Sequence, residues 1–206
     1  MKQILKLFPT VMMETILPEI NNQNLVEDIE KMFEGLTVHR LLSHQWNYNV
    51  ENSAASELGY SSFNDPNGDL IKNPIFKEFF DHIAITIDDF FHQLEYTGKW
   101  NYVNSWASIY PKNSWVPGHS HGDAHWSGVY YVKVPSDSNS PIIFHDPKEY
   151  ALSAEPTGFK YRGDNGEIIA SCEGKLLLWP GYLKHYTMPN MSDESRIIIS
   201  FNIKCG

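Results

Sequence analysis

The second half of the chain is a run of short apolar segments, each bounded by turn residues. Eight of them are predicted to be β-strands: 100–110, 114–119, 127–134, 141–145, 167–170, 174–179, 184–188 and 196–204. Strands this short and this closely spaced are typical of jelly rolls, in which two sheets bury their inner faces against each other. The pattern therefore predicts a mainly β protein with a double-stranded β-helix of the jelly-roll or cupin-like kind.

Two helices are predicted before this run. Asn24 is the expected N-cap of the first and Gly35 its C-terminal cap, because Glu27 and a helical spacing of apolar residues lie between them. Pro74 opens the second, which has a broad apolar face rich in Phe and Ile. We expect both helices to cover the outer face of one sheet, with one or two short edge strands within 4–17 and another strand around Trp46.

Length and composition restrict the range of functions. A chain of 206 residues without a sharp change of composition predicts a single domain, 1–206, in which 1–97 support a β core formed by 98–206. A formal net charge of -9 disfavours broad binding to nucleic acid or to anionic membranes, although a local basic site for a small dianion is compatible with it. Two distant cysteines and the lack of a long apolar run predict a cytoplasmic protein without a membrane span.

Three histidines form a candidate metal site. His119 and His121 are one residue apart, so on an extended segment both imidazoles point to the same side. His185 follows the turn Trp179-Pro180-Gly181 and could supply a third ligand from a distant strand. Imidazole suits zinc, copper, iron and nickel. Nine histidines make one close pair weak evidence by itself, so the hypothesis depends on the fold bringing all three together.

Arg196 opens the last predicted strand, beside three isoleucines. It could extend to solvent or pair with Asp193 or Glu194, or its guanidinium could bind a carboxylate buried in the mouth of the barrel.

Tyr130 and Tyr131 lie on the strand after the histidine pair, and by alternation only one of them faces the interior.

These segments together resemble a known family. The resemblance rests on Tyr110-Pro111, His119-x-His121, Ser127-Gly128-Val129-Tyr130-Tyr131, Phe144-His145-Asp146-Pro147, Gly174-x-Leu176-Leu177-Leu178-Trp179-Pro180, His185 and Arg196-Ile197-Ile198-Ile199-Ser200-Phe201-Asn202. This combination is similar to 2-oxoglutarate- and iron(II)-dependent oxygenases of bacteria and phages, which fall within the prolyl-hydroxylase-like superfamily. It covers about residues 98–204 well and the N-terminal half only loosely.

The resemblance implies Fe(II) at the open end of the barrel and 2-oxoglutarate as cosubstrate. The metal ligands implied are His119, His121 and His185, with His121 in a position that usually holds a carboxylate. An alternative register makes His121, Asp123 and His185 the ligands. The first set keeps the spacing to Tyr130 and Tyr131 that the family shows, and both sets stay open here.

The resemblance also implies roles around the cosubstrate. Arg196 would form a salt bridge with the far carboxylate of 2-oxoglutarate, and Tyr131 would donate a hydrogen bond to it. Tyr110 would border the cosubstrate and the metal, and Asn202 would lie near the cosubstrate pocket.

The implied activity is that of a dioxygenase that uses O2 to hydroxylate an unidentified small molecule or peptide. Two other interpretations are a metal-binding barrel without turnover and a zinc hydrolase or lyase with three histidine ligands. Substrate choice is expected from the loops at 114–115, 123–126, 159–166 and 44–70. Met12, Met13 and the terminal strands could serve a homodimer.

Overall fold

The computed structural model describes residues 9–36, 59–138, 140–147 and 166–206. Within these ranges nine strands and two α-helices follow one another, with short 3-10 turns at Leu70–Lys72 and Pro74–Phe76. They are β1 Met13–Ile16, α1 Asn22–Glu34, β2 Tyr60–Ser61, α2 Lys77–Gln93, β3 Trp100–Tyr110, β4 Trp126–Lys133, β5 Ile142–His145, β6 Gly166–Ile169, β7 Lys175–Pro180, β8 His185–Thr187 and β9 Arg196–Cys205.

The described strands form two antiparallel sheets. The major sheet has the order β1-β7-β4-β9-β3-β2, and the minor sheet has the order β6-β5-β8. Ile142 and Phe144 of the minor sheet pack with Val129 and Leu177 of the major sheet, so apolar side chains fill the space between the two sheets. This is the mainly β, jelly-roll-like double-stranded β-helix that the strand pattern predicted.

Alternation along the strands divides the side chains of the major sheet between two clusters. On β4, Tyr130 belongs to the cluster beneath the helices, whereas Val129 and Tyr131 belong to the cluster between the sheets. On β7, Leu178 and Trp179 are divided in the same way. The prediction that only one of Tyr130 and Tyr131 faces the interior of the barrel is therefore confirmed, and that residue is Tyr131.

Both helices pack on the outer face of the major sheet, as expected. The buried face of α2 consists of Phe79, Phe80, Ile83, Ile87, Phe90 and Phe91. The predicted N-cap of α1 is wrong by one turn: Asn21, not Asn24, is the cap, and its side chain accepts a hydrogen bond from the Asn24 N–H. Gly35 is the C-cap, as predicted.

Gly128 of β4 makes room for an aromatic side chain on the helix-covered face of the major sheet. A Cβ at Gly128 would lie 2.3 Å from the ring of Phe201, which is its partner in the β4–β9 register. The absence of a side chain at Gly128 therefore lets the Phe201 ring lie against the strand.

Seven of the eight predicted strands are present, within about two residues at each end. The predicted strand at 114–119 is wrong, because only His119 makes a bridge there. Pro111, whose carbonyl accepts from both the N–H and the hydroxyl of Ser114, and Asn113, which has a φ of 67°, turn the chain instead. The strand expected around Trp46 and most of the 159–166 loop lie outside the described residues.

Two strands of the N-terminal region join the edges of the major sheet. β1 pairs with β7, and the two-residue β2, which the sequence did not predict, pairs with β3. This pairing supports the proposal of a single domain in which 1–97 support 98–206. In the described part of the chain, no helix has both the length and the apolar character needed to span a membrane.

Candidate metal centre

His119 and His185 are held together by their backbones. Each N–H donates a 2.9 Å hydrogen bond to the carbonyl of the other, which forms an isolated antiparallel bridge. Paired residues in such a bridge project their side chains to the same side, and the two imidazole centroids lie 4.3 Å apart. This backbone bridge therefore places His119 next to His185, which is distant in sequence.

His121 is positioned by the turn at Gly181. The His121 N–H donates a 2.8 Å hydrogen bond to the Gly181 carbonyl. A Cβ on Gly181 would lie 2.2 Å from the Ala124 carbonyl oxygen and 2.9 Å from that of His121, so only glycine permits this approach. At Gly122, which follows His121, a Cβ would meet nothing within 4 Å, so no close approach requires glycine there.

The three histidines form one cluster. One ligand nitrogen from each of His119, His121 and His185 can be chosen so that all three lie within 4.8 Å of one another. The rings of His121 and His185 are parallel within 2°, and Trp106 also stacks on His121, with ring centroids 5.9 Å apart. Asp123 is exposed and is not part of this cluster, which in the described part of the chain is the only group of three or more His, Cys, Asp or Glu side chains close enough to hold a metal ion.

Hydrogen bonds fix the tautomers of two of these rings. Nδ1 of His119 lies 2.9 Å from the Pro117 carbonyl oxygen, and Nδ1 of His185 lies 2.9 Å from that of Leu183. A carbonyl oxygen only accepts, so Nδ1 carries the proton and Nε2 carries the lone pair that can bind a metal.

Burial favours the neutral form of all three rings. It lowers the pKa of His119, lowers the pKa of His121 to about 4, and lowers the pKa of His185 well below its usual range. The neighbouring imidazoles add to this effect on His121 and His185. Three neutral imidazoles, two of them with Nε2 free to bind a metal, are a donor set that fits iron, zinc or nickel.

Arg196 is buried, with 1% of its surface exposed. Its Nη1 donates to the Ser140 carbonyl at 2.9 Å, its Nη2 donates to the Thr187 hydroxyl at 3.4 Å, and its Nε has no hydrogen-bond partner among the described residues. The guanidinium carbon lies 4.7 Å from the centre of the Tyr110 ring. Burial lowers the pKa of this guanidinium, and Tyr110 and Tyr131 oppose that effect.

The prediction that Arg196 could extend to solvent or pair with Asp193 or Glu194 is wrong. Asp193 pairs with Lys112 at 2.6 Å and Glu194 pairs with Lys133 at 2.9 Å, so both expected acidic partners are engaged elsewhere. Among the described residues no carboxylate forms an ion pair with the guanidinium, which leaves a buried cation that lacks an anion. Thr187, which accepts from Arg196, is two residues from His185 along β8, so both side chains lie on the same face of the minor sheet and the cation lies near the histidine cluster.

The remaining predicted residues line the same inner face. Tyr110 and Tyr131 are buried, and burial raises the pKa of each phenol while Arg196 opposes the rise. Asn202 lies further along β9, where it accepts from Ser127 at 2.8 Å and donates to Asn104 at 2.9 Å.

Sequence reasoning did not identify the three aromatic residues that contact the cluster, of which Phe144 lies 5.6 Å from His185 between ring centroids. Trp106 stacks on His121, and Trp179 lies edge-to-face against His185 with ring centroids 4.9 Å apart. The inward direction of the two Trp side chains could have been deduced from alternation, because residues an even number apart on a strand share a face. Trp106 is four residues before Tyr110, and Trp179 is two residues after Leu177. Contact with the histidines, however, depends on the long-range bridge between His119 and His185.

The sequence of the core matches one family. Residues 104–202 match the family described as "Putative 2OG-Fe(II) oxygenase". No curated protein matches the chain in sequence.

Solved structures share the fold at low sequence identity. A prolyl-4-hydroxylase from Pseudomonas putida is 9% identical, with a TM-score of 0.57 over 95% of this chain and 94% of that one. The non-heme α-ketoglutarate-dependent epimerase SnoN from nogalamycin biosynthesis is 9% identical, with a TM-score of 0.63 over 95% and 78%. HygX from Streptomyces hygroscopicus, with nickel, 2-oxoglutarate and hygromycin B bound, is 12% identical, with a TM-score of 0.56 over 94% and 82%.

One further neighbour is longer than this chain. The chain spans 54% of a 2OG-Fe(II) oxygenase-family oxidoreductase from Burkholderia pseudomallei, with 12% identity and a TM-score of 0.43 over 66% of its own length.

Proposed function

We propose that the chain is a 2-oxoglutarate- and Fe(II)-dependent dioxygenase, an oxidoreductase that hydroxylates a small molecule or a peptide, and the match of residues 104–202 to the family described as "Putative 2OG-Fe(II) oxygenase" supports this proposal. The observation that carries the proposal is Arg196, a buried cation without a carboxylate partner among the described residues, which donates to Thr187 on the same strand as His185 of the histidine cluster. A buried charge without a counter-ion costs several kcal/mol, so a ligand carboxylate is the natural partner.

The metal ligands we propose are His119, His121 and His185. Their mutual distances and the two fixed tautomers support this set, and the exposure of Asp123 disfavours the alternative register. Bound Fe(II), together with 2-oxoglutarate and O2, would supply the chemistry that converts a substrate C–H bond to C–OH while 2-oxoglutarate becomes succinate and carbon dioxide. HygX binds nickel and 2-oxoglutarate on this fold, which supports Fe(II) and 2-oxoglutarate as the cofactors here.

Arg196 and Tyr131 would bind the far carboxylate of 2-oxoglutarate. The guanidinium offers its unpartnered Nε–H and its remaining Nη–H groups, and the buried position makes an ionic hydrogen bond strong. Tyr110 supports the guanidinium through its ring face and borders the cosubstrate. Because the pKa values of both phenols are raised, the hydroxyls stay protonated and can donate to a carboxylate.

Asn202 lies on the same inner face of β9 as Arg196 but six residues further along, which is roughly 20 Å of extended strand. We therefore assign it to the metal end of the cavity and not to the far carboxylate.

The test is anaerobic titration of the Fe(II)-loaded protein with 2-oxoglutarate, followed by the visible charge-transfer band of the chelate. We expect a saturable band in the wild type, a large loss of 2-oxoglutarate affinity in Arg196→Met, and a partial loss in Arg196→Lys, which keeps the charge. Circular dichroism and metal content of both variants show whether the fold and the histidine site are retained.

The absence of the band, with zinc retained in preference to iron, would contradict the proposal and favour a zinc hydrolase or lyase. Equal 2-oxoglutarate affinity in the wild type and Arg196→Met would also contradict it. In a hydrolase Arg196 would have no evident role, which is why the oxygenase is the better proposal. A homodimer, a cytoplasmic location and the lack of broad nucleic-acid binding stay predictions.

A further inference from the structure

The inner face of the major sheet carries a row of neutral polar side chains. The strand registers pair Asn104 with Asn202, Asn202 with Ser127, and Ser127 with Trp179, so four neighbouring strands each contribute one residue. Two side-chain hydrogen bonds connect the first three: the Ser127 hydroxyl donates to Oδ1 of Asn202, and Nδ2 of Asn202 donates to Oδ1 of Asn104. We call Asn104, Asn202, Ser127 and Trp179 the polar row.

Trp179 ends the polar row with an unused donor. Its side chain is 2% exposed, and its indole N–H has no hydrogen-bond partner among the described residues. An indole nitrogen can only donate, and a buried donor without an acceptor costs about 1–3 kcal/mol. Because the ring lies against His185 and Phe144 between the two sheets, the missing acceptor is expected inside the cavity.

The position of the polar row separates it from Arg196. The Trp179 ring contacts His185, whereas Arg196 lies on the part of β9 that pairs with Tyr110, at the other end of the face. The far carboxylate of a cosubstrate bound to Arg196 is therefore out of reach of the polar row. A second ligand at the metal end of the cavity fits this arrangement better.

The chemistry of the polar row indicates which functional group the second ligand has. The row has amide, hydroxyl and indole groups but no cation, so it suits a neutral group better than a second carboxylate. Asn202 uses one of its two N–H groups and accepts one hydrogen bond, which leaves it capacity both to donate and to accept. An amide, with one carbonyl acceptor and an N–H donor, matches the Trp179 N–H and the two asparagine side chains.

We propose that the polar row binds an amide group of the primary substrate, with the substrate carbonyl oxygen accepting the hydrogen bond of the Trp179 indole. The inference rests on the proposed function. It adds to that function the chemical group of the substrate, an amide, through which the polar row holds the substrate beside the metal. It assigns Trp179 and Asn202 as specificity residues, whereas Arg196 and Tyr131 serve the cosubstrate.

The test uses the indole N–H signals in NMR spectra of protein labelled with 15N-tryptophan and loaded with Zn(II) and 2-oxoglutarate. Trp179→Phe identifies the Trp179 signal among the six tryptophans and keeps an aromatic ring in the core. N-methylacetamide is the amide probe, and acetate is its charged counterpart. We expect a saturable downfield shift of the Trp179 signal with N-methylacetamide and little response to acetate.

Asn202→Ala should weaken this response several-fold, whereas Asn101→Ala, an exposed asparagine on β3, should leave it unchanged. Circular dichroism checks that both variants fold. A Trp179 signal that does not respond to N-methylacetamide would overturn the proposal. A shift produced by 2-oxoglutarate alone, before the amide is added, would also overturn it, because the acceptor would then be the cosubstrate.

A titration with N-methylacetamide in the absence of metal and 2-oxoglutarate tests the amide site independently of the proposed oxygenase activity. If Fe(II)-loaded protein shows no charge-transfer band but the amide still shifts the Trp179 signal, the oxygenase is rejected and the amide site stands. If the band is present and the amide has no effect, the amide site alone is rejected.

Discussion

His119 and His185 exchange two backbone hydrogen bonds of 2.9 Å, and this bridge sets their imidazole centroids 4.3 Å apart. Main-chain pairing thus orients two of the three proposed metal ligands through bonds that do not involve a metal. The third, His121, is attached to the same region through its bond to the Gly181 carbonyl. Preorganisation of this kind reduces the conformational entropy that metal binding would otherwise cost.

Replacement of His119 or His185 by Ala should lower Fe(II) and Zn(II) affinity at least about 100-fold, since outer-shell partners alone are worth about 10–100-fold. Isothermal titration of metal into each variant measures the loss. His125→Ala is the matched control, because His125 lies in the same loop but is exposed, with Nδ1 accepting from the Cys205 N–H. Equal losses in all three variants would mean that the loop, and not the ligands, had been damaged.

His121 and Asp123 distinguish the two possible ligand sets. We expect His121→Ala to lose most of its metal affinity and Asp123→Ala to keep it, because Asp123 is exposed and lies outside the histidine cluster. Metal content after dialysis against a weak chelator measures both variants. Loss of metal in Asp123→Ala would instead support His121, Asp123 and His185 as ligands.

Tyr131→Phe should lower 2-oxoglutarate affinity by about 10-fold or more, the worth of one hydrogen bond to a charged group. It should change thermal stability little, because the described residues provide no hydrogen-bond partner for the Tyr131 hydroxyl. Tyr130→Phe is the matched control on the opposite face: it removes the 2.8 Å bond from the Tyr130 hydroxyl to Asn22 and should cost about 1 kcal/mol of stability.

The two tyrosine variants are compared by the anaerobic chelate titration and by thermal unfolding. The expected pattern is a loss of affinity without a loss of stability in Tyr131→Phe, and the reverse in Tyr130→Phe. An unchanged 2-oxoglutarate affinity in Tyr131→Phe would remove this residue from the cosubstrate site.

Gly181→Ala should destabilise the turn that holds His121. Its Cβ would lie 2.2 Å from the Ala124 carbonyl oxygen, and overpacking of this kind costs about 1–3 kcal/mol. Metal affinity should fall together with the free energy of unfolding, because a shift of the loop moves His121. Gly122→Ala, where a Cβ meets nothing within 4 Å, should change both quantities little, within about 0.5 kcal/mol for stability.

The local pattern of the sequence was sufficient for most of the fold. Turn residues and apolar segments located seven of the eight predicted strands, and alternation showed that Tyr130 and Tyr131 face opposite sides. These features depend on sterics and hydrogen bonding within a few residues, so they can be recognised without knowledge of the fold. The prediction of a strand at 114–119 failed because the chain turns just before it, where the Pro111 carbonyl accepts from Ser114 and Asn113 has a φ of 67°.

Strand periodicity and turn chemistry are local properties, so the β architecture and the residue types of the candidate site could be predicted from the order of the amino acids. The folded chain was needed to show that His119 and His185 meet, that Arg196 is buried while Asp193 and Glu194 pair with lysines, and that the Trp179 N–H lacks an acceptor among the described residues. The physical reason is that each of these facts depends on contacts between segments far apart in the chain, which no local pattern specifies.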